Sequence, residues 1–226
     1  SSVRGALRSR ASRIARTILA ARRGSVDDWS NIGVHDQLAH DPDLVQRLFG
    51  STERRGALTV LDTLAASNGS TRLITHNAGD RWTGGVAEGT LYGEEVHDAT
   101  WKNIVLELDL EVLFKDDNRR RAAWCLLGLV LAELAAGTLP LGSRGTRGLG
   151  QVEVTGIKVE GGPSLGVEDW ALAAPTQDGG AGAGLAGQIL DRLRRVNKGI
   201  AASPGAGDDW TGWSSYLCDP EEACDE

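Results

Sequence analysis

Apolar residues recur every three to four positions from the start of the chain: Val3, Leu7, Ala11, Ile14 and Ile18. That spacing predicts an amphipathic helix over residues 1–22, with Ser1 or Ser2 as its cap. Residues 24–46 break the period, are rich in Asp and His, and read as a loop or insertion. Arg47-Leu48-Phe49-Gly50-Ser51 then leads into a strand-like run over 57–61, and residues 72–92 are irregular, dense in Gly, Thr and charge. From Leu106 to Leu113 apolar and polar positions alternate, as in a half-buried strand. A second helix is predicted over 119–136, capped by Asn118 or Asp117. Its stripe is Ala123, Leu126, Leu127, Val130, Leu131 and Leu134, and Gly137 is its stop.

Alternation returns over 151–159. The order helix, strand, strand, helix, strand gives the α+β class, with a further strand expected before Ser1. It fits a split βαβ or ferredoxin-like sheet. From about Gly161 the character changes. Pro163 and the run Asp178-Gly179-Gly180-Ala181-Gly182-Ala183-Gly184 read as a flexible linker, interrupted by a short helix over 185–196. Residues 203–226 are acidic and Gly-rich, with Trp210, Trp213 and Tyr216. Composition favours a mostly disordered tail; docking through the aromatics is the alternative. The expected division is therefore a domain over 1–160, followed by linker and acidic tail over 161–226.

The net charge of −7 argues against a polyanion ligand until its distribution is examined. Residues 1–23 hold seven arginines (4, 8, 10, 13, 16, 22 and 23) and no acid, whereas residues 160–226 hold twelve acids against four bases. Local patches decide where a polyanion lands, so the total excludes nothing. No apolar run reaches the roughly 18–20 residues of a membrane span, so no membrane partner is expected. The chain begins with Ser and holds no Met, so the expectation is a processed product, a trimmed chain or an internal fragment. Three cysteines do not make a disulfide framework at 226 residues, and the expected compartment is the reducing cytoplasm. Cys125 reads as a buried small hydrophobe; Cys218 and Cys224 have no His or further Cys nearby.

The densest chemical signal is Gly142-Ser143-Arg144-Gly145-Thr146-Arg147-Gly148-Leu149-Gly150. Glycines permit positive φ, and successive exposed N–H groups with forked arginine donors make an anion-binding concavity. The spacing is neither Walker A nor the dinucleotide fingerprint, and a tight helix-to-strand connection explains it equally well.

Two polar clusters remain. His35, Asp36, His40, Asp41 and Asp43 could gather a divalent ion, or could be Asp-Pro turn chemistry. His76, Asp80 and Arg81 could perform acid–base chemistry on a ribose hydroxyl, or Asp80 and Arg81 could pair structurally while Thr83, Gly84 and Gly85 set a turn. Trp82 is either a stacking platform for a nucleobase or a core anchor.

Four separated motifs point one way. SSVRGALRSRASRI at the start, RLFGS at 47–51, HNAGDRWTGGVAEGTLYGEEV at 76–96 and LPLGSRGTRGLGQVEV at 139–154 occur in that order. Together they resemble the RAMP superfamily, the backbone proteins of type III CRISPR effector complexes. The resemblance covers residues 1–160. It implies a modified RNA-recognition-motif fold with an inserted β-hairpin thumb at about 76–98, carrying Asp80, Arg81, Trp82, Thr83 and Gly84. It implies guide RNA (crRNA) and target RNA as ligands in antiviral defence, with other effector subunits or neighbouring RAMP domains as partners. Ser1, Ser2, Arg4, Arg8, Gly142, Ser143, Arg144, Gly145, Arg147 and Gly148 would hold the RNA backbone, since a carrier of many guides must ignore base edges.

The resemblance also leaves two other activities open. The chain could be a metal-dependent endoribonuclease that cleaves target or precursor RNA, using Mg2+ or another divalent cation. It could equally be an architectural subunit without cleavage. The family's cleaving subunits carry their catalytic aspartate just upstream of the opening motif, a position this chain does not include. Asp36 is the one candidate within it. Residues 34–46 hold no Cys, so no zinc site is expected.

Overall fold

A computed structural model describes residues 3–25, 33, 40–66, 69–142, 145–175, 184–204 and 210–217. It comprises two compact units, one built from residues 1–59 and 108–226, the other from the intervening 60–107. The class is α+β, as expected. Among the described residues the strands pair two by two, in three small sheets.

In the first unit, helix α1 (Val3–Arg23) buries Leu7, Ala11, Ala15 and Leu19. The buried line therefore runs at strict four-residue spacing, and Ile14 and Ile18 of the expected stripe lie half-buried beside it. Helix α2 (Asp43–Phe49) occupies ground expected to be loop and its exit. Leu44, Val45, Leu48 and Phe49 are its buried face, and Pro42 stands at its N-cap. Seven residues are too few to reveal a period, which is why the helix hides in the sequence.

Strands β1 (Leu58–Val60) and β4 (Leu106–Leu108) pair with each other. The strand expected to run to Leu113 stops after three residues and turns into α3 (Leu110–Leu113). Asp109 causes the switch. Its Oδ1 accepts from the backbone N–H groups of Glu111 and Val112 at 3.1 and 3.3 Å, and that local cap outcompetes the ladder.

Helix α4 (Asp117–Ala135) is capped by Asp116, not by Asp117 or Asn118, through a 2.7 Å bond accepted from Arg119 N–H. Gly137, at φ 72°, ends it as predicted. Residues Ala122 to Gly128 are buried without interruption. Helices α1 and α2 pack on α4, as do a C-terminal helix and a C-terminal turn, so its apolar surface is wider than one stripe.

The predicted strand over 151–159 is realised only as β5 (Gly156–Val159). It pairs antiparallel with β6 (Trp170–Ala173), Gly156 opposite Ala173 and Val159 opposite Trp170. Residues 161–175, expected to begin a linker, instead hold a 3-10 turn over Gly162–Leu165 and then β6. Helix α5 (Leu185–Lys198) lays Leu185, Ile189 and Leu193 on α4. Leu193 fills the space above Gly128, where a Cβ would stand 2.9 Å from its Cδ1.

Nor is the tail simply solvated. Residues 212–216 form a 3-10 turn with Ser215, Tyr216 and Leu217 buried. Trp213 N–H donates to Asn197 Oδ1 at 2.8 Å, and Tyr216 OH donates to Ala201 O at 3.0 Å. Two aromatics expected to float thus help to close the fold. Cys125 is buried in α4 as predicted, and burial pushes its thiol pKa up to about 12. Cys218 and Cys224 lie outside the described residues.

The second unit is a hairpin on a short stem. Strands β2 (Ser70–His76) and β3 (Tyr92–Asp98) pair antiparallel from Ser70↔Asp98 to His76↔Tyr92. Both ends of the segment expected to be irregular are therefore strand, and the hairpin begins before the thumb boundary read from sequence. None of the described residues in 60–107 is buried. A two-stranded ribbon has no third layer to cover it.

Candidate nucleic-acid interface

The hairpin tip is built around Asp80. Its Oδ1 accepts from Trp82 N–H at 2.9 Å, its Oδ2 accepts from Thr83 Oγ1–H at 2.9 Å, and its own carbonyl accepts from Gly84 N–H at 2.9 Å. Asp80 N–H donates to Gly85 O at 2.7 Å, closing the turn, and Gly84 takes φ 69°. Below the turn Thr90 Oγ1–H donates to Ala87 O at 2.7 Å. The bond from Trp82 N–H, then the one from Thr83, holds the Asp80 carboxyl below its ordinary value.

This turn presents Trp82 with 92% of its surface exposed. The core-anchor alternative is thereby excluded within this chain. The expected Asp80–Arg81 pair is absent as well: the carboxylate is turned onto the N–H of Trp82 and the hydroxyl of Thr83, and Arg81 stands exposed. His76 does not meet Asp80 either. Its Nε2 lies 3.2 Å from Glu94 Oε2, and its ring stacks on Tyr92 at 5.4 Å between centroids. Glu94 lies two residues along the strand from Tyr92, the cross-strand partner of His76, so strand pairing is what brings it to the imidazole.

Leu64, Leu73, Trp82, Val86, Leu91 and Trp101 are each more than half exposed, and all belong to the 60–107 unit. Among the described residues, every large apolar side chain classed as exposed lies in that unit.

In the first unit the glycine loop is closed by Leu141 N–H donating to Gly150 O at 2.8 Å. Gly150, at φ 79°, is pressed against the backbone of Leu141, so its missing side chain is a steric requirement. Gly142 and Gly148 also take positive φ, at 99° and 75°. Gly145 to Arg147 form a 3-10 turn, and Arg147 is exposed. Ser143 and Arg144 lie outside the described residues, as do Ser1, Ser2, His35 and Asp36.

The arginines of α1 are largely engaged inside the protein. Arg8 and Arg16 reach Asp41 at 2.9 and 3.0 Å, Ser12 Oγ–H donates to the same carboxylate, and Asp41 is only 1% exposed. Arg10 forks onto Glu133 of α4, which raises its pKa. Arg22 lies over the ring of Trp210 at 5.5 Å. Arg4 donates to two backbone carbonyls, Phe49 O at 2.7 Å and Leu58 O at 3.3 Å. The charge run therefore welds α1 to the rest of its unit before it serves any ligand. Asp41, drawn from the candidate metal cluster, is the hub of that weld. Among the described residues no group of three or more His, Cys, Asp or Glu is placed to hold a metal ion. No described helix is long and apolar enough to cross a membrane.

A family profile matches residues 1–153. The chain belongs to the RAMP superfamily. Members of that family are associated with CRISPR-related RNA-binding complexes and assemble with other subunits. No curated protein matched the chain. The RAMP match takes in α1, the hairpin and the glycine loop, and it ends before β5. The elements from β5 to residue 217 lie beyond the matched stretch.

Proposed function

We propose that this RAMP protein is a guide-RNA-binding backbone subunit, or a domain of one, in a type III CRISPR ribonucleoprotein that recognises target RNA in antiviral defence. The observation that carries the reading is the single family match spanning the arginine-rich helix, the hairpin and the glycine loop. The loop offers positive-φ glycines and an exposed Arg147, suited to phosphate and sugar rather than to base edges. The hairpin offers Trp82 on a turn locked by Asp80, suited to stacking on any base. A ferredoxin-like sheet belongs to the same reading.

Sequencing the RNA that co-purifies with the assembled complex tests it. Repeat-derived guides of uniform length, with no sequence preference in the remainder, are the expected result. Random cellular fragments, or no RNA, would overturn it.

A further inference from the structure

The loop between α2 and β1, Gly50–Gly56, carries two arginines that none of the motifs above assigns to a ligand. Arg54 and Arg55 have side chains 43% and 74% exposed. Among the described residues neither guanidinium donates a hydrogen bond. Each has only a 3.9 Å ion pair, Arg54 with Asp43 and Arg55 with Asp109. Most of their forked donors therefore face water, in contrast to the engaged arginines of α1.

The loop that holds them is stiff. Gly50, at φ 83°, is packed against Gly56, and a Cβ on Gly50 would stand 2.8 Å from Gly56 N. Ser51 N–H donates to Arg54 O at 2.9 Å, and Glu53 N–H donates to Ser51 Oγ at 3.3 Å. Ala57 N–H donates to Arg47 O at 2.8 Å, tying the loop exit to α2. Arg4 completes the clamp, since its two acceptors, Phe49 O and Leu58 O, flank the loop on either side. A free loop would spend binding energy on ordering; this one is ordered beforehand.

We infer that Arg54 and Arg55 form a phosphodiester-binding site on the first unit, with Arg4 as the residue that positions their loop. The inference rests on the RNA-binding reading above and names the residues that would take successive phosphates. Forked, permanently charged donors match phosphate oxygens in geometry and charge. Arg4 has its donors on the two carbonyls and acts through the loop.

The test uses the full chain and fluorescence anisotropy with labelled oligouridylate and oligothymidylate of equal length, across a salt series. The variants are Arg54→Ala with Arg55→Ala, Arg54→Lys with Arg55→Lys, and Arg194→Ala with Arg195→Ala as a control pair on α5. The first pair is expected to lower low-salt affinity about tenfold or more and to flatten the salt slope by roughly 1.4, at ~0.7 per phosphate on a single strand. Lysines are expected to keep the slope, and the α5 pair to change nothing. Loss on both oligomers assigns the contact to phosphate and upholds the site; loss on RNA alone puts the contact on the ribose hydroxyl and overturns it. RNA binding that survives the alanine pair unchanged, or falls equally with the control pair, overturns this inference and leaves the reading above standing. A native chain that binds neither oligomer overturns both.

Discussion

Arg8 Nη2 stands 2.9 Å from Asp41 Oδ2, and this ion pair is the centre of a buried polar knot that joins α1 to the start of α2. Asp41 serves Arg16 and Ser12 with its other oxygen, so one carboxylate satisfies three side chains. Breaking such a group strands its partners in a poorly hydrated place. Arg8 and Arg16 are about one-fifth exposed, which tempers the loss. Asp41→Asn is expected to lower unfolding free energy by about 3 kcal/mol, towards the low end for a buried pair. Chemical denaturation measures it; a loss under about 0.5 kcal/mol, the level of an ordinary surface change, would contradict the hub.

Trp82 is 92% exposed, so Trp82→Ala is expected to leave stability within about 0.5 kcal/mol of the native value. If it stacks on a base, the same change weakens RNA binding by about 1–3 kcal/mol. Thermal melts and RNA titrations on one preparation separate these effects. Unchanged RNA affinity would remove Trp82 from the interface.

Asp80 predicts a pH response. Its folded pKa is lowered, so its contribution to tip order is complete above the unfolded carboxylate value, about 3.9, and is lost as pH falls through the lower folded value. NMR resonances of Trp82 and Thr83 should hold steady from neutral pH to about 4 and move only below it. A midpoint at or above the ordinary carboxylate value would show that the two hydrogen bonds do not hold in solution.

Gly128 is the notch that receives Leu193. Gly128→Leu is expected to displace α5 from α4 and to cost roughly 1–3 kcal/mol, as overpacking does. Hydrogen exchange should rise in 185–198 first. Uniform protection across that helix would argue against the notch.

Long elements were legible in the sequence. Helices α1 and α4 show many turns of apolar repeat, and Gly137 marks its stop. Short ones were not: α2 has seven residues and β6 four, too few for a period to emerge. The hairpin motif was readable as a string, whereas the partner of His76 was not, because Glu94 is brought to it by strand register. Arg54 and Arg55 were visible as a pair between two glycines; that they make only long ion pairs while most α1 arginines are engaged among the described residues was invisible.

The sequence by itself determined the α+β class, the long helices, the glycine loop and the hairpin motif, because propensity, periodicity and turn chemistry act over a few neighbouring residues. Tertiary structure alone decided what each charge does. Seven arginines in the first twenty-three residues look like an open basic face, yet most are engaged by groups 25 to 188 positions away. It also decided that residues 210–217 pack while the hairpin stays bare. Burial depends on which surfaces meet, and a linear pattern carries no record of that.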